Sequence, residues 1–465
     1  FAGTELSTCV LAGFTITNGY GLNGGGISGT DFRNPLIQSR ATIVNNLICG
    51  NVSSHDGGGL YGCLGRINNN RLSDNLAGSD GGAVAACGGV IENNVIAENR
   101  AKQFGGGLSY GNAVLSNNRI TGNSAAEGGG VANWYGPISG NAITRNSAFE
   151  AGGGLYKCSN TIEHNIIESN HVLSGYGGQE KGGGLLGCTG AIRDNVIRGN
   201  TAPRLGGGLS DCVGTIESNI ISDNSAKEGG GLSNCPGTIH SNLITSNSAE
   251  YVGGGLASCR GTIQNNTIAD NSAGWYLAGL HSCSGPIRDC IIWGNTAPTS
   301  PQLRQSYTPT YSCIEGWTGG GEGNISDDPL FTTGPLGAYY LSQTAAGQAV
   351  QSPCVDAGSG EAGSLGLGDR TTRTDGAVDE GIVDMGYHYP VSTIGADLPN
   401  LSVTRMNFTP NVAAPEGGET IVFACVVCNS GSQPVSDPFW IEFFIRPVGE
   451  PSRPPVYLSD SLLVS

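Results

Sequence analysis

Along most of the chain, apolar residues fall in short clusters separated by glycine and asparagine, and the clusters return on a fixed period. The stretch "GGGLSNCPGTIHSNLITSNSAEYV", Gly229 to Val252, is followed at once by "GGGLASCRGTIQNNTIADNSAGWY". With the last residue of each glycine triplet as position zero, the markers are Gly59, Ala83, Gly107, Gly130, Gly154, Gly184, Gly208, Gly231, Gly255 and Gly279, spaced by 23 or 24 residues except once. Position +1 is Leu or Val throughout. Position +8 is Ile except Leu115, and position +13 is Ile except Leu72. Position +18 is Ala except Val172. A helix needs apolar residues three and four apart over a long window; short clusters broken by Gly and Asn predict strands instead.

The pattern predicts an all-β chain: a right-handed parallel β-helix of about 24 residues and three strands per coil, with like columns stacked as ladders ~4.8 Å apart. One coil cannot bury enough apolar surface to offset the entropy of ordering it, so the coils must stabilise one another. The Ile and Leu columns fill the bore, and Ala at +18 suits a wall that comes close. Position +16 is asparagine in every unit, namely Asn75, Asn99, Asn123, Asn146, Asn170, Asn200, Asn224, Asn247, Asn271 and Asn295, and position +11 is asparagine in all but the last. Asparagine tolerates left-handed corners and can hydrogen-bond its copy in the next coil, so both columns read as structural. The glycine triplet allows a positive-φ corner beside close backbone contact. It is not a phosphate loop, which needs Gly-Lys-Ser or Gly-Lys-Thr leading into a helix.

Two departures from the period, the nine extra residues around "DFRNPLIQS" and the six within "SGYGGQEK", are expected to be loops between strands. Position +4 is cysteine in Cys63, Cys87, Cys158, Cys188, Cys212, Cys235, Cys259 and Cys283, with Gly111 and Trp134 as the exceptions. In-register side chains point the same way, which suits a disulfide dihedral poorly. A metal-binding thiolate ladder lacks histidine partners and paired CxxC spacing. Buried thiols acting as small hydrophobes are therefore the favoured reading, with some disulfides or a soft metal as alternatives.

Composition narrows the partners. The 465 residues carry 78 glycines, a net charge of −16 and only 22 Lys plus Arg, which argues against nucleic acid and anionic membranes. No run of 18 apolar residues occurs, so no membrane-crossing helix is expected. The chain opens at Phe1 with neither an initiator methionine nor a secretion signal, as a mature fragment or a truncated form does.

The segments "VLAGFTITNGYGLNGGGI", "GGGL..C.GTI..N.I..NSA", "CIIWGN" and "YSCIEG" resemble bacterial secreted proteins built from right-handed parallel β-helix repeats. Their closing segment is similar to "GNISDDPLF", "SPCVDAGS" and "VDMGYHYP" here. The resemblance covers roughly residues 1–391 and implies repeats over 1–300, terminal coils and a closing segment over 301–391, and an extracellular or cell-surface location. From 392 to 465, alternating runs such as "ETIVFACVVCNSGS" and "DPFWIEFFIRP" resemble the start of a CARDB-like, immunoglobulin-like sandwich with some strands lacking. Cys425 and Cys428 lie in one of its strands and read as core residues.

Fold does not imply function. Cleavage of acidic polysaccharides needs carboxylates near a histidine or a basic Lys or Arg. The only adjacent Asp pair, Asp327 and Asp328, lies in the closing segment; His55, His164, His171, His240, His281 and His388 form no column; lysines number four, Lys102, Lys157, Lys181 and Lys227. No catalytic residue is assigned on this basis. Two binding candidates remain. Tyr61, Tyr110, Trp134, Tyr135 and Tyr156 lie near one sector of neighbouring coils and could stack on sugar rings. Asp369, Asp375, Asp379, Glu380 and Asp384 form an acidic stretch that could hold calcium, although their spacing matches no known calcium loop. The expectation is a non-catalytic extracellular structural or adhesive protein without a cofactor, partnered by itself head-to-tail or by cell-surface polysaccharide; the alternative is a polysaccharide-binding or polysaccharide-degrading β-helix protein.

Overall fold

The computed structural model describes residues 1–391 apart from 2–3, 32–33, 174–179, 277 and 300–301, together with the backbone of strands between Leu401 and Val464. It divides into two compact units, Phe1–Tyr389 and Pro390–Ser465.

The first unit is a parallel β-helix. Each coil places position +1 in one wall, +8 in a second and +13 in a third, and among the described residues these walls are sheets of 12, 12 and 13 strands. Pairing is parallel and in register, as in Leu60 with Val84, Ile67 with Ile91 and Leu72 with Ile96. The apolar columns therefore stack as predicted and form one continuous core running from Ile27 to Ile314. A fourth, narrower ladder at +17 and +18 was not anticipated. It forms sheets of seven and three strands, joined through single bridges at Thr201. Small side chains let this wall approach the core, as Ala77 beside Ala101 shows.

The asparagine columns run down the inside of two corners. Asn224 Nδ2 donates to Asn247 Oδ1 at 3.0 Å and to Ile197 O at 2.9 Å, while the Asn224 backbone N–H donates to that same Oδ1 at 3.0 Å. Asn219, in the +11 column, repeats the arrangement on Asn242 and Ile192. Each amide thus satisfies peptide groups that the corner takes out of the strand ladder, which buried backbone requires. The left-handed residue is the one before each asparagine: Ser218 (φ 57°) precedes Asn219 and Asp223 (φ 57°) precedes Asn224. The ladder asparagines are in the column for their amide and not for their φ, which corrects half of the sequence argument.

Glycine divides its labour similarly. Gly229 supplies a positive φ of 64°, whereas a Cβ on Gly230 would lie 2.3 Å from Ser248 O. The cysteines of the +4 column are buried and unbridged, and each Sγ donates to the carbonyl two residues before it, as Cys212 does to Ser210 at 3.4 Å. Contact with the neighbouring thiol, then burial, pushes the Cys63 and Cys235 thiols well above their ordinary range. The two exceptions in the column are one device: Trp134 is fully buried, its ring fills the space beside Gly111, and its Nε1 donates to Ala113 O at 3.0 Å.

Beyond the last rung, Ile314 N donates to Ile325 O, and the closing segment turns back as a strap along the +13 wall. Tyr387 N donates to Thr267 Oγ1 at 2.9 Å, and Ser359 bonds both carboxylate oxygens of Asp289. The outward +12 column records the cover: Ile166 is 43% exposed, while Leu243, Thr267 and Ile291 are 5%, 1% and 1%.

In the second unit, Leu401–Thr409 pairs antiparallel with Val422–Asn429, Phe439–Ile441 with Leu462–Val464, and Phe444–Ile445 with Val456–Tyr457. Cys425 and Cys428 both fall in Val422–Asn429. The immunoglobulin-like reading depends on connections and side chains that lie outside the described residues.

Two outcomes follow from the core. Asn224→Ala removes a donor pair and leaves Ile197 O unpartnered, so denaturant unfolding should show a loss of about 1–3 kcal/mol; an unchanged midpoint would mean that the ladder contributes nothing. Maleimide labelling of native protein, read by peptide mass spectrometry, should modify exposed Cys9 and spare Cys212 and Cys235 until the chain is unfolded.

Candidate functional site

Positions +9 and +10 follow the buried Ile of +8, so period-two alternation turns +9 outward. The +10 residue is the left-handed corner, as at His164 (φ 55°), Asp194 (53°) and Ser241 (53°). Over four successive coils these columns read Glu163 and His164, Arg193 and Asp194, Glu217 and Ser218, His240 and Ser241. The strap closes the far side with Leu365, Gly366, Leu367 and Arg370. The result is a polar groove of about 310 Å³.

The charges of the groove are matched in pairs. Arg193 lies 2.7 Å from Glu163, His240 Nε2 lies 2.8 Å from Glu217, and Arg370 reaches across from the strap to Asp194 at 3.4 Å. The first of these keeps the Arg193 guanidinium above its usual range through its hydrogen bond to Glu163. That pair is solvent-exposed and contributes little to stability. Its consequence is positional, because donor and acceptor are held side by side at the rung spacing. Arg370 Nη1, by contrast, is buried and has no hydrogen-bond partner among the described residues.

The groove corrects one premise of the sequence reading. Histidines His164 and His240 occupy different repeat positions, yet +9 and +10 are adjacent, so both face the same groove with three carboxylates. A carboxylate–histidine cluster therefore exists. Aligning the repeats would have exposed the alternation Glu163, Arg193, Glu217, His240 at +9; no signal in the sequence pointed to the strap residue Arg370, far along the chain.

The expected sugar-stacking set is not one platform. Trp134 and Tyr156 are buried in the shaft, so neither offers a free face. Tyr156 stacks at 6.2 Å on Phe104 with Lys157 Nζ 4.7 Å from its ring, and its hydroxyl is pushed well above its ordinary range, by burial first. Tyr61 is half-buried; Tyr110 and Tyr135 are exposed.

The acidic stretch also disperses. Asp375 is bound by Arg373 at 2.6 Å, and Asp369 and Glu380 are exposed. Asp379 accepts from or pairs with His388 Nε2 at 2.8 Å inside the strap and takes the Asp384 N–H at 2.9 Å. Asp384 takes Gln343 Nε2, Asp356 N–H and the Thr372 hydroxyl. Among the described residues no group of three or more His, Cys, Asp or Glu is placed to hold a metal. Asp379 and Asp384 instead lock the strap internally, a role that burial made and spacing did not show.

With this geometry in hand, comparison with family models, curated proteins and solved structures finds no match for the chain.

Burial, then repulsion from Asp379, raises the Asp384 carboxyl above its ordinary range. A carboxyl raised on folding stabilises the fold below the unfolded value of about 3.9, and that contribution is lost as pH rises through the folded value. The stability of wild type relative to Asp384→Asn should therefore improve as pH falls from 7 to 4. Parallel denaturant titrations check this; a difference independent of pH would remove burial as the cause.

Proposed function

We propose that the chain is a non-catalytic structural or adhesive protein of the bacterial exterior, in which a stiff β-helical shaft presents a fixed groove of paired polar side chains. The observation that carries this reading is the pairing within the groove: Glu163 and Asp194 each hold an arginine, and Glu217 lies 2.8 Å from His240 Nε2. A glycoside-cleaving site uses carboxylates as proton donor, base or nucleophile; carboxylates tied into ion pairs serve recognition better. The gathering of carboxylates and histidines is what favours the rival reading of a polysaccharide-degrading enzyme.

The partners in this reading are a cell-surface polysaccharide or a second copy. At the far end of the shaft the strap follows the last rung, so the described residues do not favour a head-to-tail contact through that end. No cofactor or calcium enters the reading.

Purified protein incubated with acidic and neutral polysaccharides, with and without calcium, should release neither reducing ends nor unsaturated products. Product that follows the intact protein through purification would establish the enzyme instead.

A further inference from the structure

We infer that the groove between the +9 and +10 columns and the strap is a binding site for a neutral saccharide, read through its hydroxyl groups. The inference rests on the recognition reading above and names its ligand class. At about 310 Å³ the groove lies at the lower end of the volumes that hold small ligands, but its lining is polar where most such sites are apolar. Its ligand must therefore be polar over most of its surface.

The donor and acceptor pattern narrows the class. Carboxylates accept only, guanidinium groups donate only, and a hydroxyl does both. In Glu163–Arg193 and Asp194–Arg370, an acceptor and a donor stand next to each other, held by the coil repeat and by the strap. Neighbouring hydroxyls on a sugar ring match that arrangement, one donating to the carboxylate and the other accepting from the guanidinium. Charge-assisted hydrogen bonds of this kind are the stronger ones. Ser218, which also lines the groove, adds a hydroxyl of either sense. Leu365, half-buried, gives the strap side an apolar edge for the C–H face of a ring.

Charge decides against acidic sugars. Three carboxylates face two arginines in the groove, so with neutral histidines the site is acidic, within a chain whose net charge is −16. A uronate or phosphate would meet that excess; a neutral sugar does not.

The test is saturation-transfer NMR on the 465-residue chain with maltotetraose, cellotetraose, mannotetraose and tetragalacturonate as probes. At least one neutral tetrasaccharide should show transfer. That signal should fall at least about tenfold in Arg370→Gln and in Glu163→Gln, both checked for an unchanged melting temperature. Glu163→Gln keeps shape and leaves the strap contact untouched, so it remains informative if Arg370→Gln loosens the strap. Transfer to tetragalacturonate alone, transfer that survives both substitutions, or no transfer to any neutral probe overturns the assignment. Cleavage products in the same tubes would overturn the non-catalytic reading without touching this one, and absence of binding without cleavage would do the reverse.

Discussion

In-register stacking of coils is the constraint on which the rest depends. Once strands pair in parallel without offset, each side chain sits over the same column in the next coil, and every corner must close its backbone hydrogen bonds in the same way. Asparagine solves this twice per coil. Its amide donates to a carbonyl in the coil behind and to the amide ahead, while its oxygen accepts two N–H groups, as at Asn224 and Asn247. Leucine or alanine at these positions would leave buried peptide groups unpaired. The ladder therefore tolerates almost no variation, whereas the left-handed residue just before it is Gly, Asn, Asp, Ser, His, Glu or Arg in different coils.

That rigidity is what makes the outer surface usable. The +9 and +10 side chains inherit the rung spacing from the core, so charges from four coils stand in a row without a single loop to position them. The ends of the ladders show the same logic. At the first rung Phe14 and Gly19 replace the asparagines and offer only backbone N–H groups to Asn46 and Asn51. At the far end, Ser312 Oγ accepts from Cys290 N–H, and Gln302 Oε1 accepts from Asn295 Nδ2.

The strap adds what a repeat cannot supply. A solenoid has a long wall of outward side chains, and those at Thr267 and Ile291 are covered by Gly386 and Tyr387 of a segment from beyond the last rung. The same segment, held at Asp289 and Asp194, turns an open wall into a groove. Its interior uses stacked Tyr340 and Tyr389 rings and the buried Asp379–His388 pair, an unusual density of polar and aromatic groups for so short a stretch.

The sequence by itself determined the all-β repeat, its period, the core columns and the structural nature of the asparagines, because each depends on neighbours one coil away and is written in every unit. It also showed that the cysteine column was ill placed for disulfides. Tertiary structure alone decided the rest. The fate of Trp134 depended on the void beside Gly111, a coupling of two coils that single columns do not display. The acidic residues from Asp369 to Asp384 looked like solvated charge or ion ligands until the strap buried Asp379 against His388 and Asp384 against Gln343 and Thr372. The groove required Asp194 and Arg370 to meet, 176 residues apart. Repetition makes local contacts legible; a contact between a repeat and a segment that occurs once has no second copy from which to read it.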